Sequence, residues 1–98
     1  MKILNPSDGS LIREIAEDSA QDVAAKFARA RAAQPAWAAV PLDDRLRVIE
    51  KFKKLIETRK NELARTLTSE TGKPITQSRN ELNALAGRLD FFLEKTAA

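Results

Sequence analysis

The chain has no cysteine, no histidine and no tyrosine among its 98 residues, one tryptophan, one methionine and three glycines. The missing cysteine removes thiol nucleophiles, disulfides and thiolate metal sites. The missing histidine removes imidazole ligands and every histidine-dependent acid–base mechanism. What remains for chemistry is Asp, Glu, Lys, Arg, Ser and Thr. Long apolar runs are missing too. The longest, Ala36–Leu42, is seven residues and contains Pro41, whereas a membrane-spanning helix needs about 20. Residues 1–6 lack the apolar stretch of a signal peptide, so the default location is cytoplasmic.

What is present describes one ordinary globular unit. The chain is 43% hydrophobic and 32% charged, with 17 Lys and Arg against 14 Asp and Glu, a formal charge of +3. Both signs alternate along the chain, which predicts a solvated helical surface rather than a nucleic-acid site. A domain of this length has a radius of gyration of roughly 13 Å and builds one modest core. No catalytic, cofactor-binding or metal-binding residue is assigned.

The local signals predict a mainly α chain with a short N-terminal β-hairpin over 1–17 and a three-helix segment over 19–98. Asn5-Pro6-Ser7-Asp8-Gly9 carries the residues of a tight turn, and Leu11, Ile12 and Ile15 suit a short strand. Two strands alone are marginal in water, so this hairpin must lean on something. Ser19 with Asp22 forms a capping-box start. The helix that follows is expected over 20–34, stopping before Pro35, with Trp37 as an anchor between elements. Pro41, Asp43 and Asp44 open the longest helix, 42–69. Its positions Leu42, Leu46, Ile49, Phe52, Ile56, Leu63 and Leu67 follow one face, and Val48 and Leu55 widen that stripe to about half the circumference, beyond the roughly 100° of a helix buried on one side. Gly72 and Pro74 punctuate the start of a last helix over 75–96. Gly87 within it suggests a close helix crossing.

Four groupings invite a chemical reading. The basic series Arg45, Arg47, Lys51, Lys53, Lys54, Arg59, Lys60 and Arg65 spreads around the helix among Glu50, Glu57 and Glu62, as a solvated face with pairs such as Glu50/Lys54 would. Gly72-Lys73 lacks the upstream glycine of a phosphate loop, since Leu67 stands there. Asp43/Asp44, and Glu81 beside Asn80 and Asn83, are carboxylates at helix starts or on exposed faces, where nothing tunes their pKa values apart.

In order, Asn5-Pro6-Ser7-Asp8-Gly9, the Ala-rich helix, Pro35-Ala36-Trp37, Pro41 with Arg45, and Glu70-Thr71-Gly72-Lys73-Pro74 resemble the N-terminal segment of the NAD(P)-dependent aldehyde dehydrogenase superfamily. The resemblance covers nearly the whole chain. It implies a scaffold segment of an α/β enzyme several times longer that oxidises an aldehyde to an acid with NAD or NADP. The family's catalytic cysteine, glutamate base, oxyanion-hole asparagine and cofactor loop match no position here. Glu81 lies near a place where some members hold a monovalent cation, and Leu89-Asp90-Phe91-Phe92-Leu93 stands where the family often shows an aromatic pair. The resemblance thus predicts a fragment with no cofactor of its own, its partner being the remainder of the enzyme. The surplus of apolar helix face predicts a homo-oligomer, with neither nucleic acid nor membrane as partner. The competing reading is a free-standing helical interaction module. The reading frame beyond Ala98 separates the two: a continuing frame with a cofactor loop and a catalytic cysteine supports the enzyme, a stop codon the module.

Overall fold

In a computed structural model describing residues 1–97, β1 (Lys2–Leu4) and β2 (Leu11–Glu14) form an antiparallel hairpin. Four helices follow: α1 (Ala20–Ala39), α2 (Leu42–Thr58), α3 (Lys60–Thr71) and α4 (Ile75–Ala97). The pairing runs Lys2 to Glu14, Ile3 to Arg13 and Leu4 to Leu11, so Ile12 is an extra residue in β2. Such a bulge bends the strand locally. The turn closes through Gly9 N–H donating to the Asn5 carbonyl at 2.8 Å, with Gly9 at φ +72°, a conformation glycine adopts without Cβ strain.

Three sequence expectations change. The first helix passes through Pro35 to Ala39 instead of stopping before it. Proline removes one backbone donor and costs about 3 kcal/mol in a helix interior. Ala32, Ala33, Ala36, Ala38 and Ala39 on both sides are the strongest helix formers, and Arg31, whose carbonyl loses its partner, is an exposed residue. Trp37 therefore rides on the last turn of α1, 44% exposed, instead of standing in a connector between elements. The predicted helix 42–69 is two helices, which brings the total to four. Arg59, at φ −98° and ψ 12°, is both the end of α2 and the start of α3. Thr58 Oγ1 donates back to the Lys54 carbonyl at 2.8 Å just before the bend, a contact that bends helices. The apolar stripe runs on across the break, so periodicity alone does not reveal it.

Other signals hold. Asp22 N–H donates to Ser19 Oγ, and Asp22 Oδ2 accepts from Ser19 N–H at 2.9 Å, completing the capping box. Asp43 and Asp44 stand in the first turn of α2, and Pro41 is the residue just before that helix. Gly72 closes α3 in the left-handed conformation, its N–H donating to the Thr68 carbonyl at 2.8 Å.

The helices pack through one seam, α4 laid along the bent α2–α3 pair. Ile56, Ala64 and Ser78 are the only buried residues among those described. Lys60, Leu63, Leu67, Leu82, Ala86, Leu89 and Leu93 flank them, half-buried. Ala64 and Ser78 are fully buried, small enough to let α3 and α4 approach, and the Ser78 hydroxyl is satisfied by Thr68 Oγ1 at 2.8 Å. Gly87 is not at the crossing: a Cβ built there meets nothing within 4 Å. The hairpin leans on the joint between α3 and α4, where Pro6 and Ser7 lie over Gly72.

The radius of gyration is 17.6 Å and the extents are 48 × 37 × 17 Å, a flattened and open shape rather than the roughly 13 Å globule expected from length. None of the twenty residues of α1 is buried.

The glycines give a contrast. A Cβ at Gly72 would be strained by φ +72° and would stand 2.9 Å from Pro6 Cγ, so Gly72→Ala is expected to cost about 1–3 kcal/mol. Gly87→Ala fills open space in mid-helix and is expected to stabilise by about 0.5–1 kcal/mol. Urea unfolding followed by helix ellipticity measures both; equal effects would contradict the docked turn.

Candidate functional site

The four groupings can now be located. The basic series is dispersed, and Arg47, Lys53, Arg59 and Lys60 meet partners one by one. Arg47 pairs with Asp44 at 2.6 Å, and Arg59 grips Glu62 through two bonds of 2.9 and 2.5 Å. Lys60 donates to Asn83 Oδ1. The i,i+4 pair that forms is Lys53–Glu57 at 3.4 Å; Glu50 and Lys54 make no ion pair among the described residues. Lys73 reaches Glu81 at 2.5 Å, tying the α3–α4 joint to the second turn of α4. Glu81 is thereby engaged with a cation of the chain itself. Asp43 is exposed at the start of α2.

A shallow groove of about 380 Å³ lies between α2 and α4, lined by Glu50, Lys53, Lys54, Glu57, Asp90 and Leu93. Its centre is Lys53, which donates to Asp90 Oδ1 at 2.5 Å across the two helices. The hydrogen bond to Asp90 raises the Lys53 pKa, with Glu57 adding to it. Lys53 is thus held charged, the opposite of a catalytic lysine, which needs its pKa lowered. The pairing spans 37 residues and has no local sequence signal; only the position of both residues at the edge of an apolar stripe hints at it.

No group of three or more Asp or Glu among the described residues is placed to hold a metal ion. The sequence has no Gly-x-Gly-x-x-Gly turn: the three glycines stand singly, and the two strands among the described residues form a hairpin instead of leading into a helix through such a turn.

The prominent surface feature is apolar. On α2, Val48, Phe52 and Leu55 are 48%, 52% and 60% exposed beside the buried Ile56. Val23, Phe27 and Trp37 are exposed on α1; Leu85, Phe91 and Phe92 on α4. Phe91 and Phe92 pack edge to face at 5.4 Å between centroids. Arg45 lies within the α2 arc, on the face of Ile49, Phe52 and Ile56, and its Nε is buried without a hydrogen-bond partner. Buried donors in finished structures are almost always paired. In all, 7747 Å² of surface is exposed, where a compact monomer of this mass exposes roughly 5,600 Å².

The titrating groups give a pH expectation. The Ser19 hydroxyl and backbone N–H hold the Asp22 carboxyl below the ordinary range, so its contribution is full above the unfolded value near 3.9 and is lost as pH falls through the depressed folded value. Lys53 is raised, so its contribution is full below the unfolded value near 10.4 and is lost as pH rises through the folded one. Amide chemical shifts are expected to show an acid step at the start of α1 that Ser19→Ala moves up toward the ordinary carboxylate range, and an alkaline step between α2 and α4 that Asp90→Asn moves down toward the ordinary lysine range.

No helix of the described residues is long and apolar enough to cross a membrane. Residues 1–98 match the model of the aldehyde dehydrogenase family. Among curated proteins, N-succinylglutamate 5-semialdehyde dehydrogenase of Chromobacterium violaceum is 38% identical over 93 residues, which is 95% of this chain and 19% of that protein. The proteins of the same name from Burkholderia mallei and Burkholderia thailandensis are 40% and 38% identical over 86 residues, 88% of this chain and 18% of theirs. The chain spans about a fifth of the length of these relatives. No solved structure matches it significantly.

Proposed function

The chain belongs to the aldehyde dehydrogenase family, and we propose that it serves as an amino-terminal scaffold segment of an NAD(P)-dependent aldehyde dehydrogenase, catalytically silent by itself. The observation that carries this reading is the surplus surface. About 2,200 Å² more is exposed than a closed domain of this mass would show, and large side chains stand on three helices within it. A scaffold exists to be covered. In this reading the rest of the enzyme lies against the exposed faces of α1, α2 and α4 and brings an acceptor to Arg45 Nε. The nucleophile, the base and the cofactor loop come from that remainder, and the whole works in the cytoplasm. The relatives' names make N-succinylglutamate 5-semialdehyde the first aldehyde to try in the whole enzyme.

Silence is tested directly. The purified chain is expected neither to reduce NAD or NADP in the presence of aldehydes nor to bind either in calorimetry. Reduction above the contaminant background, or saturable micromolar binding, overturns this part of the reading.

By itself the chain is expected to cover its apolar faces with a second copy. The surplus per chain corresponds to a total interface of about 4,400 Å², within the roughly 2,000–5,000 Å² of obligate homodimers, and a two-fold arrangement is the commonest. Light scattering is expected to return at least twice the 10.9 kDa chain mass. A 10.9 kDa particle with sharp, dispersed amide resonances would show that the chain closes its own core.

A further inference from the structure

Asp8-Gly9 is the sole Asp-Gly pair of the sequence, and it sits exposed in the hairpin turn. An aspartate followed by glycine is prone to spontaneous isomerisation, because glycine has no side chain to hinder the attack. The glycine backbone nitrogen adds to the Cγ of the protonated aspartic acid. A C–N bond forms, the carboxyl hydroxyl leaves with the amide proton as water, and a five-membered succinimide results. Water then opens the ring. Opening at the α-carbonyl sends the main chain through the side chain, giving isoaspartate with one extra backbone carbon. One water is lost and one regained, and no other reactant is needed.

The turn opposes each requirement. Gly9 N–H is donated to the Asn5 carbonyl at 2.8 Å, so the attacking nitrogen is tied back. Asp8 Oδ1 accepts from Ser10 N–H at 2.9 Å and from Ser10 Oγ at 2.7 Å, which holds the carboxylate toward Ser10. The same bonds, the hydroxyl first, lower the Asp8 pKa and keep the group in the ionised form, which has no leaving hydroxyl.

We propose that Asp8 is an isomerisation site kept closed by the hairpin turn, so that isoaspartate forms at position 8 only while the turn is open. The consequence reaches beyond the turn. Pro6 and Ser7, which lie over Gly72, belong to the same loop, and an extra backbone carbon at position 8 breaks the spacing that closes Asn5 onto Gly9. The modified chain keeps a lasting record of opening and loses the seat on the α3–α4 joint.

The test incubates the chain in mildly acidic buffer, native and in urea, and quantifies isoaspartate at position 8 by electron-transfer fragmentation mass spectrometry. The denatured chain is expected to isomerise faster than the native one. Native Ser10→Ala is expected to react roughly three- to ten-fold faster than the native original, the order that loss of one ordinary exposed hydrogen bond implies. Ser10→Thr, which keeps the hydroxyl, is expected to stay close to the original. Equal rates in native and denatured chain overturn the proposal without reliance on any variant. Equal rates for Ser10→Ala and the original assign no protective part to Ser10 and overturn it as well.

Discussion

The helical body depends on one contact line, where α4 lies along the bent α2–α3 pair. Its most deeply buried residues are Ala64 and Ser78, both without exposure. A larger side chain at either place would push the helices apart, since packed interiors have no room for added methylenes. Ser78 is tolerated there because its hydroxyl has Thr68 Oγ1 within 2.8 Å; an unpaired hydroxyl would cost about 1–3 kcal/mol. Lys53–Asp90 and Lys60–Asn83 bracket the same line from its polar edge. As exposed contacts these add little stability.

Everything outside that line is under-supported. The hairpin is held by its own ladder, by the Met1 ammonium on the Ile15 carbonyl at 2.7 Å, and by the fit of Pro6 and Ser7 over Gly72. Helix α1 is held by its capping box, by the ion pair of Lys26 with Asp18 and by alanine propensity, with no buried residue. Most helical stability in proteins comes from packing an apolar face rather than from propensity. A twenty-residue helix with Val23, Phe27 and Trp37 exposed therefore carries apolar surface that the described residues leave largely uncovered. That exposure and the match of all 98 residues to the aldehyde dehydrogenase family point the same way.

The sequence made local features legible and long-range ones invisible. Ser19 and Asp22, Gly9, Gly72 and the two aspartates of α2 act within a few residues of themselves, so their chemistry names their structure. The break at Arg59 could not be read, because the apolar stripe has the same period on either side and the Thr58 hydroxyl that bonds back to the Lys54 carbonyl is no different in sequence from one that does not bend its helix. Pro35 misled for a related reason: a strong local breaker was outweighed by the alanines around it. The pairing of Lys53 with Asp90 and the seat of Pro6 on Gly72 join distant positions, for which a single sequence offers no signal. The half-circumference apolar arc of the 42–69 segment was the one global clue visible in advance. It is partly the sum of two faces across the bend and partly the exposed seam of Val48, Phe52 and Leu55.

Amide hydrogen exchange followed as a function of chain concentration tests most directly whether α1 and the outer face of α2 take their cover from another molecule. Protection along Ile56–Leu67 and Ser78–Leu93 should be independent of concentration, while that of α1 should be low in dilute solution and rise as copies meet. High protection of α1 that does not change on dilution would mean that the helix packs against its own chain, and would contradict the scaffold account.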